Sequence, residues 1–330
     1  MAPSKVAIII LNWNGSDYTL DCLLSLKKLT FLNYKIFLTD NGSSPNDLLK
    51  IKDFVGREFN EHQLKLIDNK KNYGFAEGNN IAIRQALAEP GVQYVLLLNN
   101  DTIVSPELIE RGLAAITGAK QMVAFRIMSM DDPKQVDSCG LELTRGGLSY
   151  NRRDFNSLTF CPAGAAALYS RSLLENIKIN NDYLDSRYFV YAEDLDLGFR
   201  ARLKGFDCGC VNEPLIYHKG SATTSIMSRT ATFYTYRNIL WTLYKNFPNW
   251  LWVKYFIHIV VGQLAVIMIN IWRKQGKLII KSYWTAITGM KKMKNDRNKI
   301  QKEKSITAKE ISNIISPYIF NRYYLKNLFR

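Results

Sequence analysis

The sequence predicts an α/β fold, a mostly parallel central sheet with helices on both faces, followed by a basic helical region. Three observations carry this reading. Apolar runs alternate with stretches of helical periodicity through the first 130 residues, as an open parallel sheet requires. Polar clusters close the first, second and fourth of those runs. The charge is also divided: residues 1–229 hold 26 basic and 26 acidic side chains, whereas residues 230–330 hold 18 basic and 3 acidic, the whole net charge of +15.

The elements follow in order. Val6–Leu11 is a continuous apolar run, suited to a strand covered on both faces. Ser16 can cap a helix whose Leu20, Leu23, Leu24 and Leu26 recur at helical spacing. Tyr34–Thr39 reads as a second strand, ending in the polar turn Asp40-Asn41-Gly42-Ser43-Ser44; Pro45 opens another helix. Leu64–Asp68 is a third strand, Lys70–Ala76 a loop, Glu77–Ala88 a helix and Val92–Leu98 a fourth strand ending in Asn99-Asn100-Asp101. Pro106 starts the next helix. Farther on, Val136–Tyr150 suggests a β-hairpin, Phe160–Tyr169 a strand lined with small residues, and Asp194 a cap for a helix stopped by Gly205.

With 330 residues and 47% hydrophobic content, the chain can build one large domain or two modest ones. The five cysteines are odd in number and form no CxxC, so neither a disulfide framework nor a zinc ribbon is expected. Thiols in a reducing compartment fit best. The opening MAPSKVAIII lacks the basic segment of a secretory signal.

Ligands of open α/β sheets bind at the carboxyl ends of the strands, where Asn12/Asn14, Asp40/Asn41 and Asn99–Asp101 fall. Neither GxGxxG nor GxxxxGK[ST] is present, so a nucleotide held there needs side chains and a metal. Glu193, Asp194 and Asp196 crowd together after the aromatic Tyr188, Phe189 and Tyr191. Repulsion and desolvation raise carboxyl pKa values and suit a general base, although acids also simply complement a helix N-terminus. A lone histidine such as His218 is ordinarily structural. Paired with Asp101, it would make a hard, partly filled site for Mg2+ or Mn2+ that substrate oxygens complete.

Taken in order, VAIIILNWNG, TDNGSS, NYGFAEGNN, LLLNNDT, PAGAAALY, YAEDLDLGFR and YHKGSATTS resemble the family 2 glycosyltransferases of the GT-A fold. The nearest likeness is to the bacterial branch containing rhamnosyltransferase-like enzymes of cell-surface polysaccharide assembly. It covers about residues 5–240. The resemblance implies a catalytic domain over 1–230, with a nucleotide-binding half (1–118) and an acceptor half (119–230). It implies that Leu11, Trp13 and Asp40 hold a pyrimidine base, Asp40 through the ring N–H, and that Gly74 and Asn79 flank the nucleotide. Asn99-Asn100-Asp101 stands at the family's DxD motif, with Asp101 on the metal and Asn100 on the ribose or diphosphate. His218 is then the second metal ligand, and Asp194 the general base beside Glu193. Asn99 departs from the motif's first Asp and removes one possible carboxylate. The implied activity is inverting, metal-dependent transfer from a pyrimidine nucleotide sugar, with dTDP-rhamnose favoured, to a lipid-linked (polyprenyl diphosphate) saccharide.

Residues 231–330 remain as a basic, aromatic-rich region. Trp250 to Trp272 is long enough to span a bilayer at about 1.5 Å per residue, yet Lys254, His258, Gln263 and Asn270 interrupt it. Trp250, Trp252 and Trp272 suit a membrane interface, and Lys291, Lys292, Lys294 and Arg297 suit anionic headgroups. The expected location is the cytoplasmic face of the cell membrane, peripheral or monotopic. Nucleic acid is not an expected partner, since no RNP, KH or zinc-finger pattern occurs. Two alternatives stand beside this reading. A nucleotidyltransferase would want a Gly-rich, Lys/Arg-bearing loop after the first strand, which NWNGSD lacks; an inactive membrane scaffold would have no use for Asp101, Asp194 and His218.

Overall fold

The structure, a computed structural model, describes residues 6–155, 159–220 and 228–321. The chain runs β1 (Val6–Asn12), α1 (Ser16–Leu26), β2 (Tyr34–Asn41), α2 (Pro45–Glu58), β3 (Leu64–Asn69), α3 (Gly74–Ala88), β4 (Tyr94–Asn99), β5 (Thr102–Val104), α4 (Leu108–Ala114), β6 (Lys120–Ser129), β7 (Val136–Ser138), β8 (Leu141–Leu143), β9 (Ser149–Asn151), β10 (Ala166–Ser170), α5 (Arg171–Ile177), α6 (Glu193–Leu203), β11 (Asp207–His218) and four further helices. These are α7 (Arg229–Asn246), α8 (Asn249–Trp272), α9 (Gly276–Glu303) and α10 (Ala308–Ile314).

The main sheet has the order β3-β2-β1-β4-β10-β6-β11-β5, with β7 on β6. β3, β2, β1 and β4 are parallel, which is why their sequences are nearly continuous apolar runs. Alternate side chains divide the core between the two faces. Ala7, Ile9, Phe37 and Leu97 pack under α3 and α6, and Ile8, Ile10, Leu38 and Leu98 under α1, α2 and α4. Strand order reverses at β1, whose neighbours β2 and β4 lie on either side, so a crevice opens beyond the ends of β1 and β4. β10 runs antiparallel to β4 and β6, and the long β11 pairs with both β6 and β5.

Several local expectations change. α1 begins at Ser16 itself; Gly15 is the cap residue, and Ser16 gives its N–H to Asp47 Oδ1 at 2.9 Å. α3 begins at Gly74, three residues before Glu77, because Gly74 takes φ +80° and turns the loop straight into the helix. The helix after Pro106 starts at Leu108, behind the short β5. The hairpin within 136–150 is β8–β9, while β7 leaves to pair with β6. Only Ala166–Ser170 of the segment 160–169 is strand. Asp194 does not cap α6: the helix starts at Glu193, after Ala192 at φ +63°.

The C-terminal helices share one core with the sheet, through Leu243, Phe247, Leu251, Tyr255 and Ile259 against Leu141, Phe160 and Phe199. α8 is the one helix among the described residues long and apolar enough to cross a membrane, with a mean hydropathy of 1.8. Gln263, Tyr255 and Asn270 face inward, Gln263 donating to the Gly146 and Gly147 carbonyls and Tyr255 hydrogen-bonding Ser312, whereas Lys254 is exposed. Its outward face is apolar, with Val253 81%, Ile257 73% and Met268 69% exposed, and α9 continues that face with Ile280, Trp284 and Ile287. Lys291, Lys292 and Lys294 are exposed beyond it. Two expected membrane residues turn the other way. Trp252 packs on Phe247 at 5.6 Å, and Arg297 donates to the carbonyls of Tyr244 and Phe247.

Candidate active site

One cavity of about 760 Å³ lies at the crevice beyond β1 and β4. Leu11 and Trp13 come from the end of β1, Asn99, Asn100 and Asp101 from the end of β4, and Gly74 from the start of α3. Gly164, the loop from Phe189 to Ala192, Glu193 and Asp194, with Thr230 and Tyr234 of α7, line it as well. Small residues keep the walls close. A Cβ on Gly164 would stand 3.2 Å from Asp194 Oδ2, and one on Gly74 would collide with the Phe189 ring at 2.4 Å.

β-pairing unites Asp101 and His218 across 117 positions of sequence. Antiparallel β5 and β11 set Thr102 opposite His218, and the Lys219 N–H donates to the Asp101 carbonyl at 2.9 Å. His218 Nε2 then lies 3.1 Å from Asp101 Oδ1, close but not aligned as a hydrogen bond, and has no hydrogen-bonding partner among the described residues. The other nitrogen, Nδ1, meets Asp137 Oδ2 at 2.9 Å. Burial opposes charge on the ring, but the two carboxylates outweigh it and push the His218 pKa up to about 9.

With the His218 ring deprotonated, this donor set would hold a divalent cation between Asp101 and His218. Nε2, unsatisfied among the described residues, faces a carboxylate, while Asp137 fixes the ring from behind as carboxylates do behind metal-bound histidines. No group of three His, Cys, Asp or Glu side chains converges among the described residues, so other oxygens must fill the shell. The cavity charge points the same way. Four acids line it, Asp101, Asp137, Glu193 and Asp194, and no Lys or Arg among the described residues.

Asp194 is fixed at both oxygens: Oδ2 accepts from the Gly164 N–H at 2.8 Å and Oδ1 from the Leu195 N–H at 2.7 Å. Burial raises its pKa, and the two N–H donors hold the rise in check. Glu193 is raised much further, by burial and then by the charge of Asp194, and its Oε2 has no partner.

Two expected contacts fall elsewhere. Asp40 is fully buried, accepting from Asn12 Nδ2 at 2.8 Å and the Ser43 N–H at 3.0 Å, and does not line the cavity. Parallel pairing turns alternate residues to opposite faces, and the cavity residue from β2 is Asn41. Asn79 is likewise buried, donating to the Phe75 carbonyl at 2.8 Å one turn back in α3. Asn100 is in the cavity wall, its amide donating to Thr19 Oγ1 at 2.9 Å. Sequence reasoning missed Asp137, Asn72 and Tyr234. Asp137 sits in an ordinary short strand, and only the pairing of β7 with β6 carries it to His218.

The profile of glycosyl transferase family 2 matches residues 7–178. The low-salt glycan biosynthesis hexosyltransferase Agl10 of Haloferax volcanii is 26% identical over 219 residues, 61% of this chain and 65% of that protein. Glycosyltransferase GlyG of Streptococcus pneumoniae serotype 4 is 24% identical over 105 residues, 32% of this chain and 33% of that protein. The chain thus spans less than two thirds of the length of these relatives. Among solved structures, mannosyltransferase PcManGT of Pyrobaculum calidifontis, in complex with GDP-Man and Mn2+, is similar at a TM-score of 0.58 and 12% identity, over 86% of this chain and 87% of that one. S. aureus TarS 1–349 in complex with UDP-GlcNAc is similar at 0.51 and 16% identity, over 86% and 92% of the two chains. These likenesses are of fold, and the fold is GT-A.

Proposed function

The chain belongs to glycosyl transferase family 2, and from that premise we propose that it transfers a hexose from a nucleotide sugar to a saccharide hydroxyl with inversion at the anomeric carbon. The observation that carries this is one cavity whose lining brings Asp101 and His218 together with Asp194. The acceptor hydroxyl gives its proton to Asp194, the oxygen bonds to the anomeric carbon, and the bond from that carbon to the diphosphate oxygen breaks. One displacement needs one base and no carboxylate nucleophile, and Asp194, fixed at both oxygens, takes that role. Held by Asp101 and His218, Mg2+ or Mn2+ would neutralise the leaving diphosphate as a Lewis acid. PcManGT, similar in fold, was solved with Mn2+.

The donor we favour is a pyrimidine nucleotide sugar, with dTDP-rhamnose first, on the sequence resemblance. With Asp40 buried, the base contact passes to Asn72, which lines the cavity and whose Oδ1 accepts from the Gly74 N–H at 2.7 Å. The acceptor we favour is a lipid-linked saccharide presented at the cytoplasmic face of an anionic membrane. The polarity of α8 supports this, because its polar face packs on the protein and its apolar face is bare. A span would have to strip Leu251, Tyr255 and Ile259 from the core they share with the sheet; in this reading α8 and the first half of α9 lie in the interface plane, with Lys291, Lys292 and Lys294 among the headgroups. A panel of dTDP-, UDP- and GDP-sugars, with Mn2+ and a synthetic polyprenyl-diphosphate saccharide, tests the reading. Acceptor-dependent release of dTDP or UDP is the expected result, with proton NMR of the product showing the opposite anomer to the donor. Retained configuration would overturn the mechanism, and release from GDP-sugars alone would overturn the donor class.

A further inference from the structure

We propose that Arg237 and Asn238 of α7 are positioning residues for the transfer: they lock the wall loop ahead of α6 in the left-handed conformation that aims Asp194 into the cavity. The inference rests on the reading of Asp194 as the base.

Phe189, Tyr191 and Ala192 have φ of +65°, +70° and +63°. None is glycine, and a Cβ in that region is strained, so the surroundings must hold the loop there. α7 does the holding. Asn238 is fully buried, and its Nδ2 lies 2.9, 2.9 and 2.7 Å from the carbonyl oxygens of Tyr188, Val190 and Tyr191. Arg237 Nη2 donates to the carbonyls of Arg187 at 3.0 Å and Tyr188 at 2.9 Å, and its Nε donates to Asn238 Oδ1 at 2.8 Å. The guanidinium is itself held over the rings of Tyr234 (4.6 Å) and Trp241 (4.2 Å).

The loop held in this way joins two parts of the site. On the donor side the Phe189 carbonyl accepts from the Ala76 N–H at 3.1 Å, at the start of α3, and the Phe189 ring stacks on Tyr234 at 5.3 Å. On the other side Ala192 leads directly into Glu193 and Asp194. Neither Arg237 nor Asn238 lines the cavity, so both act through the backbone they hold. Relaxation of φ at Ala192 would rotate the first turn of α6 and carry the Asp194 carboxylate away from the Gly164 N–H.

The test is Asn238→Ala together with Asn238→Asp, which keeps the shape but sets a carboxylate against three carbonyl oxygens. Turnover is read with dTDP-rhamnose and the lipid saccharide, binding with dTDP and Mn2+, and folding by circular dichroism. We expect kcat to fall roughly 30–100-fold, the scale of a 1 Å misplacement, with the Kd for dTDP within threefold of wild type. Adding Ala192→Gly to Asn238→Ala, which removes the strain at that residue, recovers part of kcat. A folded Asn238→Ala variant with wild-type kcat overturns the proposal, as does a second-site glycine that restores thermal stability alone. If the Asn238 variants do not fold, Arg237→Lys gives the same reading, since it keeps the charge between Tyr234 and Trp241 but loses the forked donors. Failure of the underlying reading looks different: Asp194→Asn would then turn over normally, whatever Asn238 does.

Discussion

Replacing Lys245 by Met should destabilise the protein by about 3 kcal/mol, the lower end of the range for breaking a buried ion pair. Lys245 is 0% exposed, and its ammonium lies 2.6 Å from Asp185 and 2.9 Å from Asp196. Methionine matches its length but leaves two buried carboxylates short of a positive charge. The loss falls at the lower end because each keeps another partner: Arg187 meets Asp185 Oδ2 at 2.6 Å, and Arg200 meets Asp196 Oδ2 at 3.0 Å. Burial works against both carboxylates, yet the charges of Lys245 and of these arginines hold their pKa values below the usual carboxylate range. The sign of the pH dependence follows. A depressed folded pKa contributes stability that is present above the unfolded value near 3.8 and is lost as pH falls through the folded value. Urea denaturation of wild type and Lys245→Met at pH 7, and again at pH values below 3.8, is the assay, with the gap wide at pH 7 and narrowing only as pH falls below 3.8 toward the folded value. A gap within about 0.5 kcal/mol at pH 7, the size of a surface substitution, would refute the reasoning.

Asp101→Asn and His218→Ala should each weaken Mn2+-dependent binding of dTDP at least tenfold by calorimetry; wild-type binding unchanged by EDTA would count against the metal assignment. Because burial raises Asp194, the base is ionised only above its elevated pKa, so kcat should climb with pH through a midpoint above 3.8; a flat acid limb across that range would exclude Asp194 as the titrating base. Ile257→Asp with Met268→Asp should abolish flotation on vesicles containing anionic lipid, while added salt releases wild type only in part. Equal flotation of wild type on neutral and anionic vesicles would remove the part assigned to the lysines.

The parallel half of the sheet was legible in the sequence because buried strands must be apolar along their whole length, as Val6–Leu11 and Val92–Leu98 are. The carboxyl-edge location of the cavity followed from the same reasoning, and Asp101, Asp194 and His218 all line it. Asp40 went the other way because a face assignment depends on register: β2 runs two residues past Thr39, and it is Asn41 that reaches the cavity wall. Asp137 was invisible because its position depends on β7 folding back on β6. The Arg237–Asn238 pair stood in plain view in a basic region, but its work is with backbone carbonyls near residue 190, and no motif records carbonyls. In α8, composition alone left spanning and interfacial helices open. Which side Gln263 and Tyr255 face, toward the protein, is a property of packing and not of hydropathy.

The most direct test of the account is single-turnover transfer by Asp194→Asn and wild type, with donor binding measured on both. The account predicts that transfer falls by about 10²–10⁴, the worth of a positioned general base, while the Kd for dTDP with Mn2+ stays within threefold, and that Glu193→Gln costs less. Asp194→Asn transferring sugar at the wild-type rate, or Glu193→Gln proving the more damaging change, would contradict it.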